Sequence, residues 1–420
     1  MEIKTDNQIF RNYLIFWIGQ LFSILGSSVV FFALQWWITD ITEDPMAISI
    51  TFFTYVVCMA ITAPIAGIIS DHYDRKKIIL IADSLQAFST LIMILAFLFN
   101  LMQFWNLQIF VVIRSVSQTF HFTTENAIIP SMVPRDKLSR INGINFLATS
   151  FINVIGPIIG GFLLLFLTIQ EALWIDIITF LIAVIPLLLI DIPNVKKLED
   201  REKKISYSHA FKEGLNIIRA IPGLLSMMIV FMIINFLNQP RGTLTAYYVK
   251  VIHGGTVLDF SLVSIAFNIG MLIGGIITAL KKHWSNKIRM ILIAYIIAST
   301  GYALLSMVPI GMFQLIWVCV AMVGFSMPTI NSLYYTIIHL SIPKDKVGRA
   351  VSIDTTLSFI AMPLGTIASG PLALMIGTNY LFLISAILSI IVLMLFYIFS
   401  NIRKLNEVKE TEVNEKDIID

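Results

Sequence analysis

The stretch VPRDKLSRINGIN, residues 133–145, returns 209 positions later as IPKDKVGRAVSID, residues 342–354. Pro134, Asp136, Lys137 and Arg140 fall on Pro343, Asp345, Lys346 and Arg349, and the same offset carries Gly156 onto Gly365 and Gly161 onto Gly370. An offset of 208 sets the GIIS of Gly67–Ser70 on the GIIT of Gly275–Thr278. Each copy is a short charged loop between long apolar runs, so the repeated unit is a set of membrane spans.

Working outward, the 420 residues are 57% hydrophobic and 13% charged, where soluble domains carry roughly 25% charged residues. Twelve spans of about 20 apolar residues would use more than half of the chain and leave no room for a large soluble domain. Apolar runs predict spans near 10–38, 46–70, 78–99, 104–133, 139–168, 171–190, 222–239, 258–280, 288–308, 312–340, 349–376 and 379–400. The first run is too long for a signal-peptide core and no cleavage pattern follows it, so it is expected to stay in the mature chain. Cys58 and Cys319 lie inside apolar runs, which excludes a disulfide framework and a Cys/His metal site.

Of the 29 Lys and Arg residues, 26 fall on the cytoplasmic side when the N-terminus is placed inside, as positive charge does beside membrane spans. Arg241 and Lys250 are read outside and Arg114 within a span. Both termini are thus expected in the cytoplasm, and the net charge of +3 follows topology rather than nucleic-acid binding. The expected fold is an all-α polytopic membrane protein of 12 transmembrane helices in two parallel six-helix bundles, 1–190 and 222–400. A cytoplasmic linker, 191–221, joins them, and a charged tail, 401–420, follows. The linker's second part reads as an amphipathic helix with Phe211, Leu215 and Ile218 on one face, suited to a membrane surface. Parallel repeats of this kind rock about a central site and expose it alternately, which points to transport.

Three stretches carry candidate mechanism. Gly67, Asp71, Arg75 and Lys76 sit in the loop between spans 2 and 3, with a glycine for close helix packing, an acid at the membrane edge and a basic cluster facing the cytoplasm. Span 5 carries Gly143 and then Gly156-Pro157-Ile-Ile-Gly160-Gly161, small residues that let helices approach and a proline that bends the span. Span 4 sets Arg114, Gln118, His121 and Glu125 in one polar stripe, and ionisable groups at membrane depth face a cavity or a partner. Glu125 and His121 are read as exchanging protons, with Arg114 tuning them or meeting substrate; the competing account is a static ion pair with Asp83 or Asp354. Asp176 is read as snorkelling to the outer surface, with cation binding as the alternative. Gln20, Asn145, Asn153, Asn235, Asn268, Asn331 and Tyr335 are candidate cavity residues, and together they describe a space polar but poor in charge, fit for a large amphipathic molecule. Gly-x4-Gly-Lys-Ser/Thr, His-Glu-x-x-His and Gly-x-Ser-x-Gly are all missing, so neither a built-in ATPase nor an enzyme is expected, and no cofactor is implied. Cooperation with an ATP-binding partner protein is left open.

The loop from Gly67 to Lys77 resembles the loop 2–3 motif of the major facilitator superfamily, with His72 and Asp74 in place of an arginine and a glycine. Span 5 is similar to that superfamily's antiporter motif and departs from it at Ile152. The run Asp71–Lys77, the stretch Leu138–Gly143, Trp174–Phe180, Phe211–Leu215 and Trp17–Gln20 together resemble the branch that holds the bacterial macrolide efflux proteins and the enterobactin exporter. The resemblance implies a proton antiporter of the bacterial cell membrane that exports macrolide-like drugs, with siderophores or lipid-like metabolites as alternative cargo. It implies that Asp71 locks one conformation against the start of span 11 near Arg349, that Arg114 is the span 4 arginine, and that Gly156, Pro157, Gly160 and Gly161 are the exporter motif.

Overall fold

The computed structural model describes residues 6–134, 136–192, 207–281, 284, 286–343 and 346–406, and these contain helices and connecting turns without a strand. In chain order the α-helices are α1 (Asp6–Thr42), α2 (Pro45–His72), α3 (Arg75–Leu98), α4 (Phe104–Met132), α5 (Leu138–Phe166), α6 (Ile169–Ala172) and α7 (Trp174–Leu189). They continue with α8 (Tyr207–Ala220), α9 (Leu224–Tyr247), α10 (Val257–Leu280), α11 (Lys287–Leu305), α12 (Phe313–Ser341), α13 (Val347–Ile376) and α14 (Thr378–Phe399). Among the described residues eleven stretches are long and apolar enough to cross a membrane, with α6 and α7 counting as one. That is one short of the twelve expected. The difference is α4, as long as its neighbours but bearing Arg114, His121 and Glu125.

Helix starts follow from local chemistry. Asp44 accepts from the Met46 amide ahead of Pro45, Asn286 accepts from the Arg289 amide, and Thr256 with Asp259 makes a reciprocal cap at α10. Each satisfies an amide that the first helical turn leaves without a partner. A π-helical turn, Tyr248–Ile252, prolongs α9, so this span runs well past the predicted 239. Arg241, read as outside, therefore lies inside the helix.

The chain divides into two compact units, Met1–Arg201 with Val249–Val251 and Gly255–Ile265, and Glu202–Tyr248 with Ile252–Gly254 and Ala266–Asp420. In the first, α1 packs on α5 and α7, and α4 packs on α2 and α3. Glycines set these distances: a Cβ on Gly26 would stand 2.0 Å from Thr179 Oγ1 on α7, and one on Gly19 3.2 Å from Pro186. Tyr13, Phe16, Ile79, Ile128 and Leu187 form a buried apolar cluster in this unit.

In the second unit α9 packs on α13 and α14, and α11 on α12 and α14. The linker helix expected in this region is α8. Ile217 and Ile218 are buried in the unit's core with Leu224, Phe231 and Ile353, and α8 contacts α13 and α9; the Phe211 side chain lies outside the described residues. Gly223 starts α9 with φ +90°, where a Cβ would stand 2.4 Å from the Asn401 carbonyl oxygen, so that turn admits only glycine.

Candidate functional site

The loop between α2 and α3 is held by its own charges. Asp74 caps α3, its Oδ1 accepting from the amides of Lys76 at 3.0 Å and Lys77 at 3.4 Å. A carboxylate in place of the motif's glycine thus has a structural use. Arg75 donates from Nη1 to the Ala127 carbonyl at 2.7 Å and from Nε to the Ser70 carbonyl at 3.3 Å, tying the loop to α4 and α2. Lys76 donates from Nζ to the carbonyls of Leu188 at 2.9 Å and Ile190 at 2.6 Å, closing the end of α7. Asp71 is 71% exposed at its side chain and stands 3.8 Å from Arg75. The side chain of Arg349, with which it was expected to form a lock, lies outside the described residues. At Gly67 a Cβ would meet no described atom within 4 Å apart from its own helix.

The polar stripe on α4 is split between two partners. Arg114 Nη1 donates to Asp176 Oδ2 at 2.8 Å and to Thr90 Oγ1 at 2.6 Å, while the Thr90 hydroxyl donates to the same Asp176 oxygen at 2.6 Å. Asp176 is buried, not snorkelling: helix α7 turns it inward onto α3 and α4. The guanidinium also lines a crevice of about 50 Å³ with Phe31, Gln35, Thr51 and Tyr55, far below the roughly 300 Å³ or more that a drug-sized ligand fills. Engaged in an internal ion pair, Arg114 is placed to hold three helices together, and the reading of it as tuning His121 and Glu125 or meeting substrate is not favoured by this geometry.

About two and three turns beyond Arg114, α4 presents His121 and Glu125 to α3. His121 Nδ1 stands 2.6 Å from Asp83 Oδ1, and Nε2 stands 3.6 Å from Glu125 Oε2. All three groups are at most 6% exposed, and Asp83 Oδ2 and His121 Nε2 make no hydrogen bond among the described residues. With every group ionised the cluster carries one net negative charge, costly at membrane depth, and one added proton cancels it. Asp83 is thus the partner of His121, where sequence reasoning offered it only as one of two static alternatives.

The antiporter-like motif of α5 is a packing surface. Cβ atoms on Gly156 and Gly160 would stand 2.1 Å from Ser28 Oγ and 2.7 Å from Phe32 Cδ1, both on α1, and one on Gly161 would stand 2.5 Å from Ser261 Cβ. Pro157 lies within the helix, and its carbonyl, which it leaves in place, accepts from Ser261 Oγ at 2.7 Å. Ile152, the departure from the motif, is buried.

Gln20, Asn145 and Asn153 of the candidate cavity residues lie in the first unit, and Asn235, Asn268, Asn331 and Tyr335 in the second. Gln20 is fully buried in α1. Asn145 is half-buried and accepts from the Trp17 indole N–H at 2.9 Å. Asn235 and Asn268 are half-buried, and Asn153, Asn331 and Tyr335 are exposed. What sequence reasoning missed is the pairing of Tyr334 with Asp354, in which the tyrosine hydroxyl donates to Asp354 Oδ1. The repeat register held the signal, since the offset of 209 sets Tyr334 on Glu125 and Asp354 on Asn145.

Membrane-length helices, a sequence repeat and charges buried at span depth define a polytopic membrane protein. The family description Major Facilitator Superfamily matches residues 16–366 and again 287–420, and the chain belongs to that superfamily. Macrolide efflux protein A of Streptococcus pyogenes is 27% identical over 405 residues, covering 96% of this chain and 99% of that one. The multidrug efflux pump Tap of Mycolicibacterium fortuitum is 23% identical over 85% of this chain and 88% of its own length. Among solved structures, a bacterial homologue of the iron transporter ferroportin in an inward-facing state superposes with a TM-score of 0.68 at 15% identity, covering 92% of this chain and 98% of that one. The nucleoside transporter NupG gives a TM-score of 0.67 at 14% identity, over 92% of this chain and 98% of its own. These two likenesses speak for the fold alone.

Proposed function

We propose that this chain is a proton-driven secondary exporter of amphipathic compounds, with macrolide antibiotics as the favoured cargo, and that it is a transporter without enzymatic activity. It resides in the bacterial cell membrane with both termini in the cytoplasm. Two six-helix bundles, 1–190 and 222–400, joined by the linker 191–221 and followed by the tail 401–420, alternate the side to which cargo is exposed.

The observation that carries the reading is the Asp83–His121–Glu125 cluster. An imidazole between two buried carboxylates can take one proton and lose it again with a change of one unit of charge, and cargo exchange then follows the proton gradient. The loop residues Gly67, Asp71, Arg75 and Lys76 serve the conformational change, and Gly156, Pro157, Gly160 and Gly161 hold α5 for outward transport. The efflux names of the relatives in Streptococcus and Mycolicibacterium favour export over import.

The test is accumulation of radiolabelled erythromycin in a susceptible bacterial host that expresses this chain or its Glu125→Gln variant, with and without a protonophore. Accumulation lowered by the chain, restored by the protonophore and restored equally by the variant supports proton-driven macrolide export. Equal accumulation throughout, with the protein in the membrane, removes macrolides as cargo; lowered accumulation that ignores the protonophore removes proton coupling.

A further inference from the structure

Helix α3 uses its two faces differently. Asp83, Gln86 and Thr90 are buried, while Ile81, Ser84, Leu85 and Phe88 face Ile177 and Leu181 of α7 across a groove of about 720 Å³. Ile81, Phe88 and Leu181 are 58%, 61% and 53% exposed, and both helices are of membrane-spanning length and composition, so the groove opens toward lipid. Ser84 alone among its described lining residues is polar. Such walls accept hydrocarbon and leave a polar solute without partners.

Length and charge narrow the occupant further. Along α3 the groove runs from Leu80 to Leu91, about 16 Å at the helical rise, and one leaflet holds about 15 Å of hydrocarbon. The groove is thus as long as a leaflet is deep. Lys77 stands three, four and seven residues before Leu80, Ile81 and Ser84, on the ridge that forms the α3 wall, and its side chain is exposed. Lys76 donates to the carbonyls of Leu188 and Ile190, which puts its ammonium where the α7 wall ends. Asp71 and Asp74 offset two of the three basic charges from Arg75 to Lys77, and one positive charge remains. Long basic side chains near a span end reach for the headgroup layer. At the opposite end the charge is of the other sign, with Glu171 exposed three residues before α7.

We propose that the α3–α7 groove holds an acyl chain of an anionic glycerophospholipid whose phosphate is bound by Lys77 beside Lys76. A zwitterionic lipid offers the same chain, but its own ammonium opposes the lysines. The site is independent of which cargo the chain exports and of what drives export.

The test is photolabelling of the full chain in nanodiscs of phosphatidylcholine in which one lipid in ten carries a diazirine on its acyl chain. The probe is phosphatidylglycerol in one preparation and phosphatidylcholine with the same chain in the other, and labelled peptides are mapped by mass spectrometry. Wild type is expected to take label at residues 80–91 and 177–181 about fivefold more from the anionic probe, the effect of one lysine near an anionic headgroup. Lys77→Gln should bring the two probes level, and Lys77→Arg should keep the preference. Ser84→Trp, which fills the groove from an exposed position, should remove label from these residues with both probes. Lys287→Gln, at the start of α11 in the second unit, should change nothing there. Equal labelling by the two probes in wild type overturns the proposal, since the groove then takes whatever lipid surrounds it. A preference that survives Lys77→Gln overturns it too, as does one that Lys287→Gln also removes, which attraction to the whole basic surface would produce. Labelling unchanged by Ser84→Trp places the chain elsewhere, and no label at these residues from either probe means that something else, such as a second copy of the chain, covers the groove; each overturns the proposal.

Discussion

Arg114 Nη1 and Asp176 Oδ2 stand 2.8 Å apart between α4 and α7, and the Thr90 hydroxyl of α3 bonds both. Three helices of the first unit are thereby joined at one buried oxygen. Removing one charge leaves the other desolvated and alone, which costs about 3–5 kcal/mol where such pairs have been broken. Asp176→Asn should lower the unfolding temperature of the purified protein sharply. Arg114→Met with Asp176→Leu should recover much of the loss, because an apolar pair leaves no orphan charge. A double variant no more stable than the single one would show that the pair does more than neutralise itself.

Glu125 is the cluster member whose removal spares the short His121–Asp83 contact of 2.6 Å. With Gln at 125 the remaining acid and imidazole balance each other, so the cluster loses its reason to exchange a proton. The expected phenotype is uncoupling rather than inactivity. In proteoliposomes without a gradient, Glu125→Gln should still exchange labelled for unlabelled erythromycin near the wild-type rate, while uptake driven by an imposed pH gradient falls at least tenfold. Loss of both activities would assign Glu125 to folding or cargo binding.

Much of this was readable in the chain, and the exceptions have physical causes. Apolar runs fixed the spans because a bilayer admits little else, and the repeat at 133–145 and 342–354 set their grouping. The stripe on α4 was visible as periodicity. Periodicity places residues on a face but does not say which neighbour meets that face, so Asp176 was read as reaching solvent although it holds Arg114. Hydropathy likewise ended span 7 early at the polar run Asn238-Gln-Pro-Arg241, yet the helix continues to Tyr247 and through a π-turn. Asp74 shows the opposite limit: as a motif departure it had no meaning until its carboxylate was seen capping α3.

Gly156 has no room for a methyl group, since a Cβ there would stand 2.1 Å from Ser28 Oγ and 2.7 Å from Ser28 Cβ. Gly156→Ala should force α5 off α1, with the roughly 1–3 kcal/mol cost of overpacking. Because the clash is with a side chain, Ser28→Gly in the same molecule should relieve it. Melting temperature and export are to be measured in both. If the second substitution restores neither, the glycine is needed for flexibility of the helix and not for its approach to α1.

His253 follows the π-turn with both ring nitrogens buried and without hydrogen bonds among the described residues, packed on Tyr248 and Phe313. Burial pushes its pKa below the ordinary value of about 6.5. The unfolded chain therefore takes up a proton at this residue more readily than the folded one. Above about pH 6.5 both states are neutral there and nothing is gained; below it the folded state loses relative stability as the pH falls. His253→Phe keeps the ring and removes the titration. The drop in melting temperature from about pH 7.5 to about pH 5 should be smaller in that variant than in wild type, and equal drops would clear this residue.

Lys76 spans from the start of α3 to the end of α7, where its ammonium bonds the carbonyls of Leu188 and Ile190. Those carbonyls belong to the last turn of α7 and the residue after it, where no further amide follows to bond them and where the helix dipole favours a cation. Lys76→Met should therefore loosen the end of α7 by about 1–2 kcal/mol, two hydrogen bonds of modest net worth being lost. Hydrogen exchange should rise at residues 187–192 and stay unchanged in α1 and α2. Lys76→Arg keeps charge and donors, and should restore protection. If exchange at 187–192 is unaltered in Lys76→Met, this lysine acts in the conformational change alone, and its contacts with α7 are incidental to stability.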